Sequence, residues 1–547
     1  MTDGDKNTTL SSTSDILVDL QVETSSRSQK IQKFVPFVVL AVITAHFAWA
    51  TQYFIVETDD VLRHTCCDGY GFLMILYIFI AFGYSYAYLI KPYMLGPVSR
   101  CLWEPFVEKI AKIFGARYVY AVIHLIILGV ILAFLIYDCW DEPERLIPLA
   151  GLAILLIVSF AFSVHRKQIK WHTIIWGMIL QFVFGLFTLR WETGRRIFAC
   201  VGDKVTTFLG YAKEGSAFVY GDKLVHEYHI FAFEAISTIY FLAFIINILY
   251  HVGIMQRVVA NFGMFLRAIM GTSVCESVNS AANIFLGQTE APLLLKPYLI
   301  NLTGSEIHSV MTGGFASVSG TVLAAYISYG ANAAHLITAS VMAAPAGLVF
   351  SKLLFPEIEE PETFEDNVAL VESEFSSVLD AASQGASQAT QIVLGILANL
   401  IAFVATVYFI NGVLGWFGGL VGFTAEDELW TIELIVGYIF TPVSFVLGVP
   451  WPECTKVGQL IGLKMMVNEF AAFSKFKEMD LTPKSQVIAT FAICGFANPG
   501  SVGIMISTLS ALIPQKSHLI TRHVFRAYFA GTIVCFATAC IAGMLSA

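Results

Sequence analysis

Asn283-Ile-Phe-Leu-Gly-Gln-Thr-Glu290-Ala-Pro292, followed by Gly313-Gly-Phe-Ala-Ser317-Val-Ser-Gly320, decides the fold, because the chain makes the same interruption a second time. The second copy runs Val467-Asn-Glu469-Phe-Ala-Ala472 and then Cys494-Gly-Phe-Ala-Asn498-Pro-Gly-Ser501. Each copy sets a Glu in one apolar, hairpin-sized segment and a Gly-Phe-Ala-polar break in the next. Glu290 precedes Ser317 by 27 residues and Glu469 precedes Asn498 by 29. Gly- and Pro-broken apolar segments at corresponding places in two halves point to the binding site of a membrane transporter.

Composition agrees with a membrane setting. Hydrophobic residues make up 56% of the chain and charged residues only 13%, with a mean hydropathy of +0.71. A soluble protein of this length needs far more charge on its surface. Apolar runs of about 20 residues recur, the length that crosses a hydrocarbon core. Such long unbroken runs exclude a β-barrel and predict an all-α polytopic protein. The net charge of −9 and a pI near 5.8 argue against a nucleic-acid partner. The ten cysteines show no metal-ligand spacing; Cys66 and Cys67 are able to pair if their loop faces an oxidising compartment, and two free thiols are the alternative.

Residues 1–33 are rich in Ser, Thr and Asp and read as a disordered cytoplasmic tail. Three spans follow within 34–140, near 34–56, 71–92 and 116–137. The transporter core is expected over 145–547, with a first repeat at about 228–355 and a second at about 391–547. Residues 191–225 read as an interfacial stretch, and 357–390 as a charged connector ending in an interfacial helix. Loop charge sets the orientation. Lys91, Arg100, Lys109, Lys112, Arg166, Lys167 and Lys170 lie in alternate loops, opposite the acidic Glu57 to Asp60 and Asp138 to Glu144. The positive-inside rule then puts the N-terminus in the cytoplasm. Arg190, Arg195 and Arg196 break that pattern on the outer side.

Residues 272–293 carry Glu276, Asn279, Asn283, Gln288, Thr289 and Glu290 in an otherwise small, apolar stretch. A lipid-facing helix would not hold six such groups; a re-entrant hairpin buried among other helices would. Glu290 and Glu469 are the deepest ionisable groups and are placed for polar recognition; two structural carboxylates satisfied by backbone N–H groups are the alternative. Gln288, Thr289 and Asn498 both donate and accept, which suits a neutral substrate with amide-like and hydroxyl groups. Phe496 is placed to stack on a ring. Asn283 and Ser317 offer oxygens beside unwound backbone, the means by which transporters coordinate sodium. No metalloprotease motif, nucleophile elbow or Walker loop is present, so an enzyme is not expected.

At these residues the chain resembles the concentrative nucleoside transporter family. The resemblance rests on Gly271-Thr-Ser-Val-Cys-Glu-Ser-Val-Asn-Ser-Ala-Ala-Asn-Ile-Phe-Leu-Gly-Gln-Thr-Glu-Ala-Pro-Leu293, Lys296-Pro-Tyr-Leu299, Gly462-Leu-Lys464 with Asn468-Glu-Phe470, and Phe491-Ala-Ile-Cys-Gly-Phe-Ala-Asn498. It implies inverted repeats, each with a re-entrant hairpin and a broken helix, plus extra N-terminal spans. It further implies a homotrimer in the plasma membrane that imports nucleosides by an elevator-like movement. Carried over, Gln288, Thr289, Glu290 and Val322 face the nucleobase. Glu469, Asn498 and Ser501 hold the ribose hydroxyls, and Phe496 lines the pocket. Sodium falls to Asn283 and Ser317 with the carbonyls of Leu286 and Val318. Gly287-Gln288 with Thr321-Val322 implies purine nucleosides and uridine as favoured substrates. Proton coupling, or a nucleobase transporter of the same fold, remains the alternative.

Overall fold

The computed structural model describes residues 40–54, 67, 69–85, 117–228, 230–361, 375–423 and 430–546. Cys66 and the N-terminal tail lie outside them, so the expectations about both concern residues beyond the described set. The chain divides into two compact units, one ending at Ile126 and the other beginning at Ile127. Among the described residues it is helical, with no strand.

In the first unit, α1 (residues 40–54) and α2 (Gly69–Ser85) pack through a polar and aromatic seam. Thr44, Phe47 and Thr51 share one face of α1, because helical neighbours recur every three to four residues. Tyr77 donates to Thr44 Oγ1 at 3.3 Å and Tyr70 to Thr51 Oγ1 at 3.0 Å. The Phe47 ring stacks on Tyr77 at 4.2 Å.

The helix α3 (Arg117–Asp138) leads into the second unit, where α4 (Ile147–Ala161), α5 (Trp171–Gly185) and α6 (Glu192–Tyr220) follow. Asp138 binds Arg145 at 2.9 Å and Arg190 at 2.6 Å. Arg145 also donates to the Met544 carbonyl at 2.7 Å. Two of the three arginines that break the loop-charge pattern thus have acidic partners: Arg190 takes Asp138 and Arg196 takes Glu192.

Two runs of elements then follow in the same order. The first is α7 (Thr238–His251), α8 (Ile254–Met270), the hairpin beginning with α9 (Val274–Ala282), the broken pair α10 (Gly304–Ala316) and α11 (Gly320–Ser328), and α12 (Ala333–Leu354). The second is α13 (Val378–Leu420), α14 (Ile432–Val446), the hairpin of α15 (Cys454–Met466) and α16 (Glu469–Glu478), the broken pair α17 (Pro483–Ile493) and α18 (Pro499–Leu512), and α19 (Ser517–Leu545).

Glycine sets the closeness of each hairpin to the helix before it. A Cβ at Gly263 of α8 would stand 2.7 Å from the Val278 Cα of α9, and one at Gly458 of α15 would stand 2.5 Å from the Gly437 carbonyl oxygen of α14. Small residues at such crossings let helix backbones approach in a membrane. Gly271 ends α8 at φ 68°, a left-handed turn where a side chain would be strained.

The hairpin bases are pinned by charge. Ser273 and Glu276 form a capping box on α9. Lys352 reaches Glu276 at 2.8 Å, Glu357 at 3.2 Å and Ser305 Oγ at 2.9 Å. Glu276 therefore braces the first hairpin from the side. At the second base, Glu453 accepts from Thr482 Oγ1 at 2.8 Å and from its N–H at 3.1 Å.

Seven helical segments among the described residues are long and apolar enough to cross a membrane, including the two halves of Gly304–Ser328 taken together. One expectation needs correcting. The interfacial helix and the span after it are one continuous 43-residue helix, α13, because no proline separates the Ser/Ala-rich part from the apolar part. The first hairpin has no second α-helical arm among the described residues. After its tip come only the short turns Ala291–Leu295 and Leu299–Asn301, where Pro292 and Pro297 prevent a regular ladder.

Candidate functional site

The first hairpin tip lies against the first helix break. Gly320 N–H donates to the Phe285 carbonyl at 3.1 Å. A Cβ on Gly320 would stand 2.7 Å from that oxygen, one on Gly314 would meet Gln288 Cβ at 2.8 Å, and one on Gly313 would meet Asn283 Nδ2 at 2.8 Å. The motif Gly313-Gly314 to Gly320 is therefore a seat for the tip, kept bare of side chains so that Asn283 and Gln288 can press into it.

What the tip carries is unsatisfied. Asn283 is buried and gives its Nδ2–H to the Asn279 carbonyl at 3.0 Å, but its Oδ1 accepts nothing. Asn279 Oδ1, Gln288 Oε1 and Ser317 Oγ are likewise buried without partners. The carbonyls of Leu286 and Val318, in buried non-helical stretches, accept no backbone hydrogen bond among those outside the helices. Each buried polar atom left unpaired costs roughly 1–3 kcal/mol. Oxygens of this kind are able to serve as donors to a hard cation. Half-buried Glu290 accepts from the Gly287 N–H at 3.2 Å, and Thr289 beside it is also half-buried. Val322 is buried in the first turn of α11.

The second hairpin is built differently. Asn468 caps α16 by accepting from Ala471 N–H at 2.9 Å, which places Glu469 in the first helical turn, 4% exposed. Asn498 caps α18 by accepting from Ser501 N–H at 2.8 Å, and its Nδ2 donates to Glu469 Oε2 at 2.5 Å. Glu469, Asn498 and Ser501 thus form one connected group. Tyr326 of α11 is buried close by, its ring 5.3 Å from that of Phe470 and 4.6 Å from that of Phe473 of α16. Lys464 is fully buried, and its Nζ has no hydrogen-bond partner.

The two breaks cross each other. Phe496 N–H donates to the Ser317 carbonyl at 3.3 Å. A Cβ on Gly495 would stand 2.9 Å from the Ala316 oxygen, and one on Gly531 of α19 would stand 2.5 Å from Phe315 Cβ. The doubled Gly-Phe-Ala is therefore the contact between the two broken helices. The structure joins Asn283 and Gln288 to the first break, Glu469 to Asn498 and Ser501, and Phe496 to Ser317. Among the described residues no bond joins Glu290 to Glu469. Sequence reasoning assigned no role to Lys464 or Tyr326, whose ionisable or phenolic tips in apolar segments were the available signal.

Crossed, broken helices with two re-entrant hairpins, in a polytopic helical chain, define a membrane-embedded secondary transporter. Residues 150–223 match the family described as Na+ dependent nucleoside transporter N-terminus, 232–333 match Nucleoside recognition, and 335–543 match Na+ dependent nucleoside transporter C-terminus. Sodium/nucleoside cotransporter 1 of Oryctolagus cuniculus is 40% identical over 476 residues, which are 84% of this chain and 71% of the relative. Sodium/nucleoside cotransporter 2 of Rattus norvegicus is 42% identical over 437 residues, 77% of this chain and 65% of the relative. The chain thus spans about two thirds of the length of these relatives. The solved structure of CNTnw in an inward-facing substrate-bound state aligns with a TM-score of 0.69 at 36% identity, over 74% of this chain and 98% of that one. A CNTnw variant in an outward-facing state aligns with a TM-score of 0.70, also at 36% identity, over 74% and 98%. This protein belongs to the concentrative, sodium-dependent nucleoside transporter family, a family of transporters and not of enzymes.

Proposed function

We propose that this protein is a sodium-coupled nucleoside symporter that carries nucleosides into the cell across the plasma membrane. The observation that carries the reading is the cluster of unpaired oxygens on Asn283, Ser317, Asn279 and Gln288, set against a second group, Glu469 with Asn498, whose bonds are already made. In this reading sodium is a co-substrate held by Asn283, Ser317 and the carbonyls of Leu286 and Val318. Gln288, Thr289, Glu290 and Val322 meet the base. Glu469, Asn498 and Ser501 accept and donate to the ribose hydroxyls, with Phe496 against the ring. A carboxylate accepting from sugar hydroxyls makes charge-assisted bonds, roughly twice as strong as neutral ones.

Sodium at the first tip orders the side chains that read the base, so nucleoside binds better after the ion. Each positive charge carried inward adds about 2.3 kcal/mol of driving force per 100 mV. The hairpins and broken helices move together across the membrane as an elevator-like body, which agrees with relatives of the same fold in outward-facing and inward-facing states. The core over 145–547, with repeats at about 228–355 and 391–547, assembles as a homotrimer, and residues 34–140 add three spans. The N-terminus is cytoplasmic. Cys67 and Cys200 are each disulfide-bonded and fall on the outer side of that topology, where disulfides persist. Purine nucleosides and uridine are favoured and cytidine is the poorest substrate.

Uptake of radiolabelled uridine into cells expressing the protein tests the reading. Replacing external sodium by choline at constant pH should abolish accumulation. Undiminished uptake would remove sodium coupling and leave the proton, and uptake of free nucleobases in place of nucleosides would overturn the substrate assignment. Equal uptake of cytidine and adenosine would overturn the proposed preference.

A further inference from the structure

A cavity of about 420 Å³ lies between α6 and the first turns of α12, a volume within the roughly 300–1,000 Å³ of small-molecule sites. Ile327, at the end of α11, also lines it, on the helix whose first turn carries Val322. One face of α6 forms a long wall. Arg195, Phe198, Gly202 and Thr206 follow one another at intervals of three or four residues, with Asp203 beside Gly202. They therefore share a face about 16 Å long. A Cβ on Gly202 would stand 2.8 Å from the Ala334 backbone nitrogen, so bare backbone closes one side of the cavity.

The polar groups of this wall are unanswered. Arg190 and Arg196 have acidic partners, while neither Arg195 nor Asp203 enters an ion pair among the described residues. Thr188 and Thr206 donate to carbonyls one turn back, at 2.8 and 2.9 Å. Thr338 of α12 is 1% exposed, lines the same cavity and makes no hydrogen bond among the described residues. These groups describe a ligand. One cation and one anion on one wall cancel, which suits a neutral molecule. The start of α12 is not free for an anion, because Asn332 Oδ1 already accepts from the Ala334 and His335 N–H groups at 2.8 and 3.3 Å. A ring beside Phe198, acceptor atoms for Arg195, and hydroxyls for Asp203 and Thr338 are together the features of a nucleoside.

We propose that this cavity is a second, weaker nucleoside site, an outer vestibule that holds the substrate beside α11 before it passes to the hairpins. The inference rests on the reading of the protein as a nucleoside importer whose loop charges place α6 on the outer side. The vestibule needs no sodium, since the unpaired oxygens of Asn283 and Ser317 are not part of its lining.

Equilibrium dialysis of radiolabelled uridine against the purified full chain in nanodiscs tests it. Wild type should bind two uridines per protomer, the second at least about 30-fold more weakly because fewer and more exposed bonds hold it. Replacing sodium by choline should remove the tight class and leave the weak one, and Glu469→Ala should do the same. In the Glu469→Ala background, Asp203→Asn should weaken the remaining class about 10-fold and Thr338→Val about 5-fold. In the wild-type background both should leave the tight class within about 2-fold, as expected of independent sites. Initial uptake at low uridine should fall about 3-fold in Asp203→Asn, with the saturated rate unchanged.

A single tight class in wild type would overturn the vestibule and leave the importer reading standing. Absence of any uridine binding would overturn both. A weak class indifferent to Asp203→Asn and Thr338→Val would place the second nucleoside elsewhere and sink the assignment. Asp203 is exposed, so its variant alone decides if Thr338→Val does not assemble. Uridine monophosphate should compete for the weak class less well than uridine; tighter binding of the monophosphate would overturn the choice of a neutral ligand. Uptake by Asp203→Asn that equals wild type at every concentration would remove the cavity from the entry route.

Discussion

The two hairpins occupy the same place in their repeats and solve opposite problems. The first is irregular past its tip and leaves Asn279, Asn283, Gln288 and Ser317 with oxygens that accept nothing. The second has two helical arms, and its carboxylate is bonded to Asn498. One leaves its oxygens unpaired and the other has its carboxylate already engaged. A duplicated architecture can therefore divide its labour by changing which polar atoms are left unpaired, with the backbone plan kept.

The comparison is most exposed to failure at Glu469. Glu469→Ala strips the carboxylate partner from Asn498, a bond to a charged group whose loss costs roughly 1.5–3 kcal/mol. Nucleoside binding should fall by more than 100-fold in a titration, while sodium still raises the melting temperature. If sodium stabilisation is lost as well, the two hairpins are not independent. Asn283→Leu is the converse. It removes one oxygen from the first tip and should raise the sodium concentration for half-maximal uptake by at least about 10-fold, with the preference for uridine over its 3′-deoxy analogue intact. A change in sugar preference with normal sodium dependence would reverse the division.

A smaller effect sharpens the first hairpin. Gln288→Ala should shift the ratio of adenosine to uridine uptake by about 5-fold, the scale of one hydrogen bond to a base edge, without altering the 3′-hydroxyl requirement. At the bottom of the range lies Glu192→Gln. Its pair with Arg196 is exposed on both sides, and an exposed pair contributes about 0–1 kcal/mol. Uptake and melting temperature should not change measurably, which sets the background against which the hairpin variants are read.

Much of the fold was legible because the informative signals were breakers. Asn498-Pro499-Gly500 cannot continue a helix, and α17 does end at Ile493. The Glu-bearing stretches carried too many polar groups to face lipid, and both are buried hairpins. Where no breaker was present the reading failed: polarity falls across 378–390, yet α13 runs through it unbroken. The irregular second arm of the first hairpin was signalled by Pro292 and Pro297 and was not drawn out. Within the site, residue types were readable and partners were not. Nothing local tells that Asn498 bonds Glu469, or that Gly313 and Gly314 are bare to admit Asn283 and Gln288. Those facts come from segments tens of residues apart meeting in space.

The crossing of the two breaks has a consequence for how such a protein can change over time. Its link is between two main-chain groups, the Phe496 N–H and the Ser317 carbonyl, so no ordinary side-chain replacement erases it. Only proline at position 496 lacks the donor. Side chains such as Gln288 and Val322 can therefore be exchanged while the main-chain link between the two breaks is inherited unaltered.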